Sequence, residues 1–347
     1  FQNSRISSQT LTQTIKMNKL LKTTLAVLLL ATTALQAQIE INDNISVTGF
    51  VDMSVSKTDS EMTRSTSNSA AVNNAADADG SSGNLDQAEI DFILNFDKIS
   101  GQVDLNYLGA NDGEGKIGEF DLEQAFIRYD LGDGGDVEAG KFLSYMGFET
   151  FEPTGLYQYS YAYDIRNAIP GHHSGVRYNY NDDFLSLGLS LLDSVYRPDG
   201  GIQDSGHGVE AKIAIKPIEG LTIFLGFAQD SQDGAAEDSD LINFWTSYET
   251  GNITWALELN EYDFGAMNSG SQFLVMANLG LTDRTGLTFR VSEDAQDFKG
   301  GDTATKFTVS PNFSVNDNLG FLFELSQTDY GSEGTVTSAA FETIFTF

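Results

Sequence analysis

The sequence predicts an all-β chain closed into a transmembrane antiparallel β-barrel of about 16 strands, with short periplasmic turns and long outward loops. Three observations predict it. Residues alternate apolar and polar with period two from Ile45 to Phe347, connections alternate short and long, and an export signal is followed by no second apolar run of about 18 residues. Composition narrows the rest. The 347 residues carry 50 Asp+Glu against 19 Lys+Arg, a net charge of −31, and no Cys. Absent cysteine excludes disulfides, thiolate metal sites and thiol nucleophiles. The acidic balance argues against nucleic acid as a partner, because phosphate binding needs a basic footprint.

Residues 1–16 contain no Met and no apolar period, and read as translation upstream of the true start. Residues 17–37 read as a signal peptide: Met17 opens it, Lys19 and Lys22 are its positive region, Thr23 to Leu35 its apolar core and Ala37 its cleavage-site residue. Their removal takes Arg5, Lys16, Lys19 and Lys22 and no acid, so the exported chain, 38–347, is more negative still.

The strands are expected at 45–56, 86–97, 100–109, 119–130, 135–145, 173–181, 184–193, 207–217, 219–229, 241–250, 251–262, 271–282, 284–293, 303–314, 317–329 and 334–347. In 184–193, Leu185, Leu187, Leu189 and Leu191 share one face while Ser186, Gly188 and Ser190 share the other. Gly, Asn and Asp fill the short turns, such as Gly132-Asp133-Gly134-Gly135 and Asn181-Asp182-Asp183, where positive φ is needed. Tyr107, Tyr129, Tyr178, Tyr180, Trp255, Phe341, Phe345 and Phe347 lie near strand ends on the apolar face, as an interfacial girdle requires. A soluble sandwich shares the alternation; the girdle, the mixed small and charged polar faces and the regular loop lengths favour the barrel. The stretch 57–85, rich in Ser, Asn, Ala, Asp and Gly, reads as an exterior loop.

Two stretches carry a family resemblance. The chain ends Phe341-Glu342-Thr343-Ile344-Phe345-Thr346-Phe347, which resembles the signal read by outer-membrane barrel-assembly machinery. Leu122-Glu123-Gln124-Ala125-Phe126-Ile127-Arg128-Tyr129, then Glu138-Ala139-Gly140-Lys141-Phe142, then Met146-Gly147-Phe148-Glu149, resembles the β-barrel porin-2 group, which is related to the phosphate-selective porins. The resemblance implies a Gram-negative outer-membrane location and passive diffusion of small hydrophilic solutes or ions. It implies lipid and lipopolysaccharide as surroundings, a homotrimer as the assembly and no enzymatic activity.

In porins the third outward loop narrows the lumen, and here that loop is 146–172. Its Glu149, Glu152, Asp164 and Arg166, together with inward Arg128, Arg177, Lys212 and Arg290 on the strands, are the expected constriction residues; Lys216 and Lys306 share the inward parity. Carboxylates on the loop against basic groups on the wall would set a transverse field. The overall charge leans the expectation toward cations. No cofactor is expected; acidic outer loops such as Asp77-Ala78-Asp79-Gly80 and Asp230-Ser231-Gln232-Asp233-Gly234 offer loose Ca²⁺ or Mg²⁺ contacts but lack EF-hand spacing. Two alternatives stay open. His172-His173-Ser174-Gly175 invites comparison with outer-membrane phospholipases, although their His-x-Ser-Asn-Gly would need Asn at position 175, where Gly stands. A closed structural or adhesive barrel is the other.

Overall fold

A computed structural model describes residues 38–62, 80–108, 120–163, 168–197, 206–233, 237–265, 269–296 and 303–347. The expected upstream and signal segments lie outside the described residues, as do Asp164 and Arg166. The strands are β1 (Ile39–Asn42), β2 (Ile45–Met62), β3 (Gly80–Phe96), β4 (Ile99–Leu108), β5 (Phe120–Gly132), β6 (Gly135–Leu143), β7 (His172–Asn181), β8 (Leu185–Leu192) and β9 (Gly206–Ile215). They continue as β10 (Leu221–Gln232), β11 (Ser239–Thr250), β12 (Ile253–Asp263), β13 (Ser269–Thr282), β14 (Thr285–Gln296), β15 (Thr303–Ser314), β16 (Leu319–Asp329) and β17 (Gly334–Thr346).

Each strand from β2 to β17 pairs antiparallel with the next, and β17 returns to β2, which closes a 16-stranded barrel. Closure gives every strand two partners, so no ladder of N–H and C=O groups faces lipid, where each unpaired group would cost several kcal/mol. The seam is completed at its periplasmic end by two extra contacts. Gly49 and Phe347 exchange backbone hydrogen bonds of 3.0 Å, and beyond them β1 takes the same edge of β2, pairing Ile39 with Val47. This short strand was not expected from the sequence.

Side-chain direction follows the alternation, with the usual soluble pattern inverted. Glu258 and Asn260 on β12 are buried inside, whereas Trp255 and Leu259 are exposed on the outer surface. Eleven residues of β12 rise about 36 Å along the strand, or about 28 Å at a tilt of about 40°, which matches a hydrocarbon core. The outer edge of the lipid band is written in the outward residues. On β2 they run Val51, Met53, Val55 and then Lys57, Asp59, Glu61; on β12 they run Leu257, Leu259 and then Glu261, Asp263. The aromatic residues Tyr129, Tyr178, Trp255, Phe341 and Phe345 all project outward and are exposed.

One expectation is corrected. Residues 57–62 and 80–85 are strand rather than loop, with Lys57 opposite Ser81 and Thr58 opposite Gly80. Their polarity marks emergence into water rather than an end of pairing, and the Ser56 and Ser82 hydroxyls meet across the ladder at 2.8 Å. At the other end, tight turns place non-glycine residues at positive φ, Asp97 at 57° and Asp133 at 52°. In the β7–β8 turn the Asp182 carboxylate accepts the N–H groups of Phe184 (2.8 Å) and Leu185 (2.7 Å). Those bonds hold it below the ordinary carboxylate range.

The face assignment makes a direct prediction. Leu189 projects outward midway along β8, so Leu189→Arg should cost about 2–4 kcal/mol in urea unfolding from lipid vesicles. Thr222→Arg, at an inward position of β10, should cost far less in the same titration.

Candidate functional site: the barrel lumen

The connection between β6 and β7 runs through the lumen, because its residues hydrogen-bond the inward side chains of distant strands. It starts from the quoted motif. Gly140 sits where a Cβ would lie 2.2 Å from the Ala125 carbonyl oxygen, so only glycine fits beside β5. Gly147 holds φ at 98°, a conformation that strains any side chain, and its N–H reaches Asn243 on β11 at 3.0 Å. The Phe148 N–H then reaches Glu258 on β12 at 2.9 Å, and Glu149 pairs with Arg290 on β14 at 2.5 Å. The Met-Gly-Phe-Glu run is therefore the anchor that carries the loop across the barrel.

Further on, Glu152 accepts from Gln87 of β3 (3.1 Å), Tyr159 meets Ser54 of β2 (3.0 Å), and Ser160 donates to Glu324 of β16 (2.6 Å). Arg290 also donates to the Ser160 and Tyr161 carbonyls, and Lys306 donates to the Tyr161 carbonyl. A fully buried arginine is tolerable because a carboxylate and several backbone oxygens satisfy it. Beside β6–β12 the packing turns apolar. Met146, Ala168 and Ile169 of the loop lie with Phe142, Leu192, Phe224 and Tyr262, all inside the barrel.

Apart from Glu210 and from the residues that hold the loop on β12, β14, β15 and β16, two charged sectors line the wall. The basic sector holds Arg128, Arg177 and Lys212 on β5, β7 and β9. Glu138 accepts from Arg128 at 2.6 Å and forms an ion pair with Arg177 at 2.5 Å. Arg177 stacks on the Phe142 ring at 4.0 Å, and the Lys212 ammonium lies 4.4 Å from the Tyr145 ring centre.

The acidic sector spans β2 to β5 and β17, with Asp52, Asp86, Glu89, Asp91, Asp104, Glu123 and Glu342, and takes Glu152 from the loop. Two of these residues face inward because of β-bulges. In β3, Asp52 pairs with Gln87 and Met53 with Leu85, which leaves Asp86 as the extra residue. In β5, Asp104 pairs with Gln124 and Leu105 with Leu122, which leaves Glu123 extra. A bulge puts two successive side chains on one face and so adds one inward carboxylate per strand. Both bulges sit in the same four-residue pattern, Leu85-Asp86-Gln87-Ala88 and Leu122-Glu123-Gln124-Ala125.

The expected constriction residues thus divide. Arg128, Arg177 and Lys212 share one sector, Glu149 and Arg290 neutralise one another, and Glu152 joins the acids rather than facing the basic group. Of the two loop carboxylates among the described residues, Glu149 is paired with Arg290 and Glu152 lies with Glu89 and Glu123. The acidic sector escaped the period-two reading, although an apolar spacing of three (Leu85 to Ala88, Leu122 to Ala125) marks each bulge. Phe341, Phe345 and Phe347 fall on the outward face of the seam strand, with Phe341 against Phe321 at 5.6 Å between ring centres. His173 is engaged by Glu210 (3.4 Å) and the Val195 carbonyl, and His172 packs edge-on against Phe151.

A closed barrel with an apolar belt, a polar interior and an inward-folded loop defines an outer-membrane porin. The chain belongs to the family described as "Putative beta-barrel porin-2, OmpL-like", whose model matches residues 44–347. No curated protein matches it. Among solved structures, it is similar to OmpF of Salmonella typhi in complex with daunomycin, at 14% identity over 89% of this chain and 100% of that one (TM-score 0.66). DcaP of Acinetobacter baumannii is similar at 11% identity over 87% and 97% (TM-score 0.61). An anion-selective porin from Comamonas acidovorans is similar at 12% identity over 87% and 99% (TM-score 0.60). These likenesses show the fold. The protein lies in the outer membrane.

Arg290 is the group on which the loop depends most. Arg290→Ala would remove the cation paired with Glu149 and one donor each from the Ser160 carbonyl, the Ser160 hydroxyl and the Tyr161 carbonyl, a loss of about 3 kcal/mol or more of local stability. Faster proteolysis within 144–171, with the barrel itself intact, is the expected readout.

Proposed function

We propose that the barrel is a passive pore for small hydrophilic solutes and ions that favours cations. The observation that carries this reading is the acidic sector of β2 to β5 together with Glu152. It stands beside the loop, whereas the basic groups are largely compensated: Arg128 and Arg177 by Glu138 and Asp136, Arg290 by Glu149. Selectivity has to be argued from this lumen, since an anion-selective porin shares the fold. A hydrolase of the His-x-Ser-Asn-Gly type would use His172 as the base for Ser174, but the His172 ring packs edge-on against Phe151 and Gly stands at position 175 in place of Asn. A homotrimer is part of the proposal and is tested by mass measurement of the detergent-extracted protein. Proposed surroundings are lipopolysaccharide outside and the assembly machinery during insertion.

In a planar bilayer under a KCl gradient, the reversal potential should take the sign of cation preference. A unit charge about 5 Å from the ion path in water is worth about 0.8 kcal/mol, or about fourfold in local ion concentration. The double variant Asp91→Asn/Asp104→Asn should therefore lower the cation-to-anion permeability ratio by more than about tenfold. Anion preference in the unaltered protein would overturn the reading.

A further inference from the structure

We propose that the acidic sector is a divalent-cation site of the Ca²⁺ type, and that the ion ties the lumen loop to the wall. The site is built from Glu89 and Asp91 of β3, Asp104 of β4, Glu123 of β5 and Glu152 of the loop. Oxygens of Glu89, Asp91 and Asp104 all lie within 4.8 Å of one another, as do those of Glu89, Glu123 and Glu152. Ligands around a Ca²⁺ at about 2.3–2.6 Å stand at most about 5 Å apart, so one ion fits either triad. Glu89 belongs to both.

Unused oxygens give a second, independent indication. Asn106 is 1% exposed; its Nδ2 donates to Glu123 at 3.1 Å, yet its Oδ1 has no hydrogen-bond partner. Asp104, also 1% exposed, receives both Gln102 (2.9 Å) and Gln124 (2.7 Å) on Oδ2, leaving Oδ1 without a donor. Asp91 Oδ1 and Glu123 Oε2 are likewise buried and unpartnered. Buried carbonyl and carboxylate oxygens left without donors in one place are the complement of a hard cation. Among the described residues no Lys or Arg ion pair reaches these five carboxylates; His172 Nδ1 stands 4.0 Å from Glu123. The amide and carboxylate mixture and the irregular spacing suit Ca²⁺ better than Mg²⁺, which demands a near-ideal octahedron.

Glu152 gives the site its consequence. It is the one loop residue in the set, so an ion bridging it to Glu89 and Glu123 fastens the loop beside Pro153–Gly155 to the β3–β5 wall. Of the outer-loop acids, Asp77 and Asp79 lie outside the described residues, and Asp230 accepts from Ser194 and Gln232, each at 2.7 Å. Among the described residues the converging carboxylates are these lumenal ones.

The proposal rests on the pore reading only in needing this sector to be reachable from water. The test is calorimetric titration of CaCl₂ into the chelator-treated, detergent-solubilised full barrel. Saturable binding is expected, weakened by about tenfold or more in Glu89→Gln and in Glu152→Gln. Heat-modified electrophoretic mobility reports whether each variant is folded, and Glu152→Gln leaves every strand unaltered. No saturable binding in the unaltered protein, as expected if the carboxylates simply share protons, overturns the site. So does binding that both variants retain. Calcium binding without bilayer conductance would instead reject the pore reading while leaving the site standing.

Discussion

Backbone hydrogen bonding in lipid is the constraint from which the rest of this structure follows. Hydrocarbon supplies no partner for an N–H or C=O group, so the sheet must close, and here closure depends on the β17–β2 seam. The seam runs from Gly334 opposite Met62 down to Thr346 opposite Phe50, and β1 extends it past the last residue. Closure fixes an inside and an outside, and the period of two then sorts every side chain between water and lipid.

The interior this creates is polar but not empty. Inward groups such as Arg290, Glu258, Asn243 and Glu324 find partners in the backbone of the loop that crosses the barrel. Loop and wall therefore satisfy one another, and among its described residues the loop has one short 3-10 turn, at Pro153–Gly155, as its secondary structure. Apolar packing around Phe142 and Phe224 holds one side of the loop, whereas polar contacts to β2, β3 and β16 hold the other.

Most of the barrel was legible because alternation is a local signal. Leu185 to Leu191 declare their face without knowledge of any partner, and the short turns declare themselves through Gly, Asn and Asp. The loop's inward course was legible only through family resemblance, since its anchors Asn243, Glu258 and Arg290 are about one hundred residues or more away in sequence. The acidic sector was missed for a different reason. A bulge breaks parity, so period two alone does not turn Asp86 and Glu123 inward, and the extended β2–β3 hairpin reads as loop because both of its faces are polar. The repeated Leu-acid-Gln-Ala pattern, with its apolar spacing of three, is the local signal of each bulge.

Charge in this lumen is thus a product of backbone geometry as much as of composition: the two bulges turn extra carboxylates toward the water path, and the amides of Gln87 and Gln124 beside them donate to Glu152 and Asp104. The protein has no native cysteine, so single introduced thiols report side-chain direction without background. The decisive measurement is labelling of Asp86→Cys, Gln87→Cys, Glu123→Cys and Gln124→Cys by a charged, membrane-impermeant thiol reagent in lipid vesicles, with Ile90→Cys and Ile127→Cys as outward references. Reaction at both members of each adjacent pair, with the references protected, is the predicted result. Strict alternation through the pairs, or equal labelling of the references, would contradict the account.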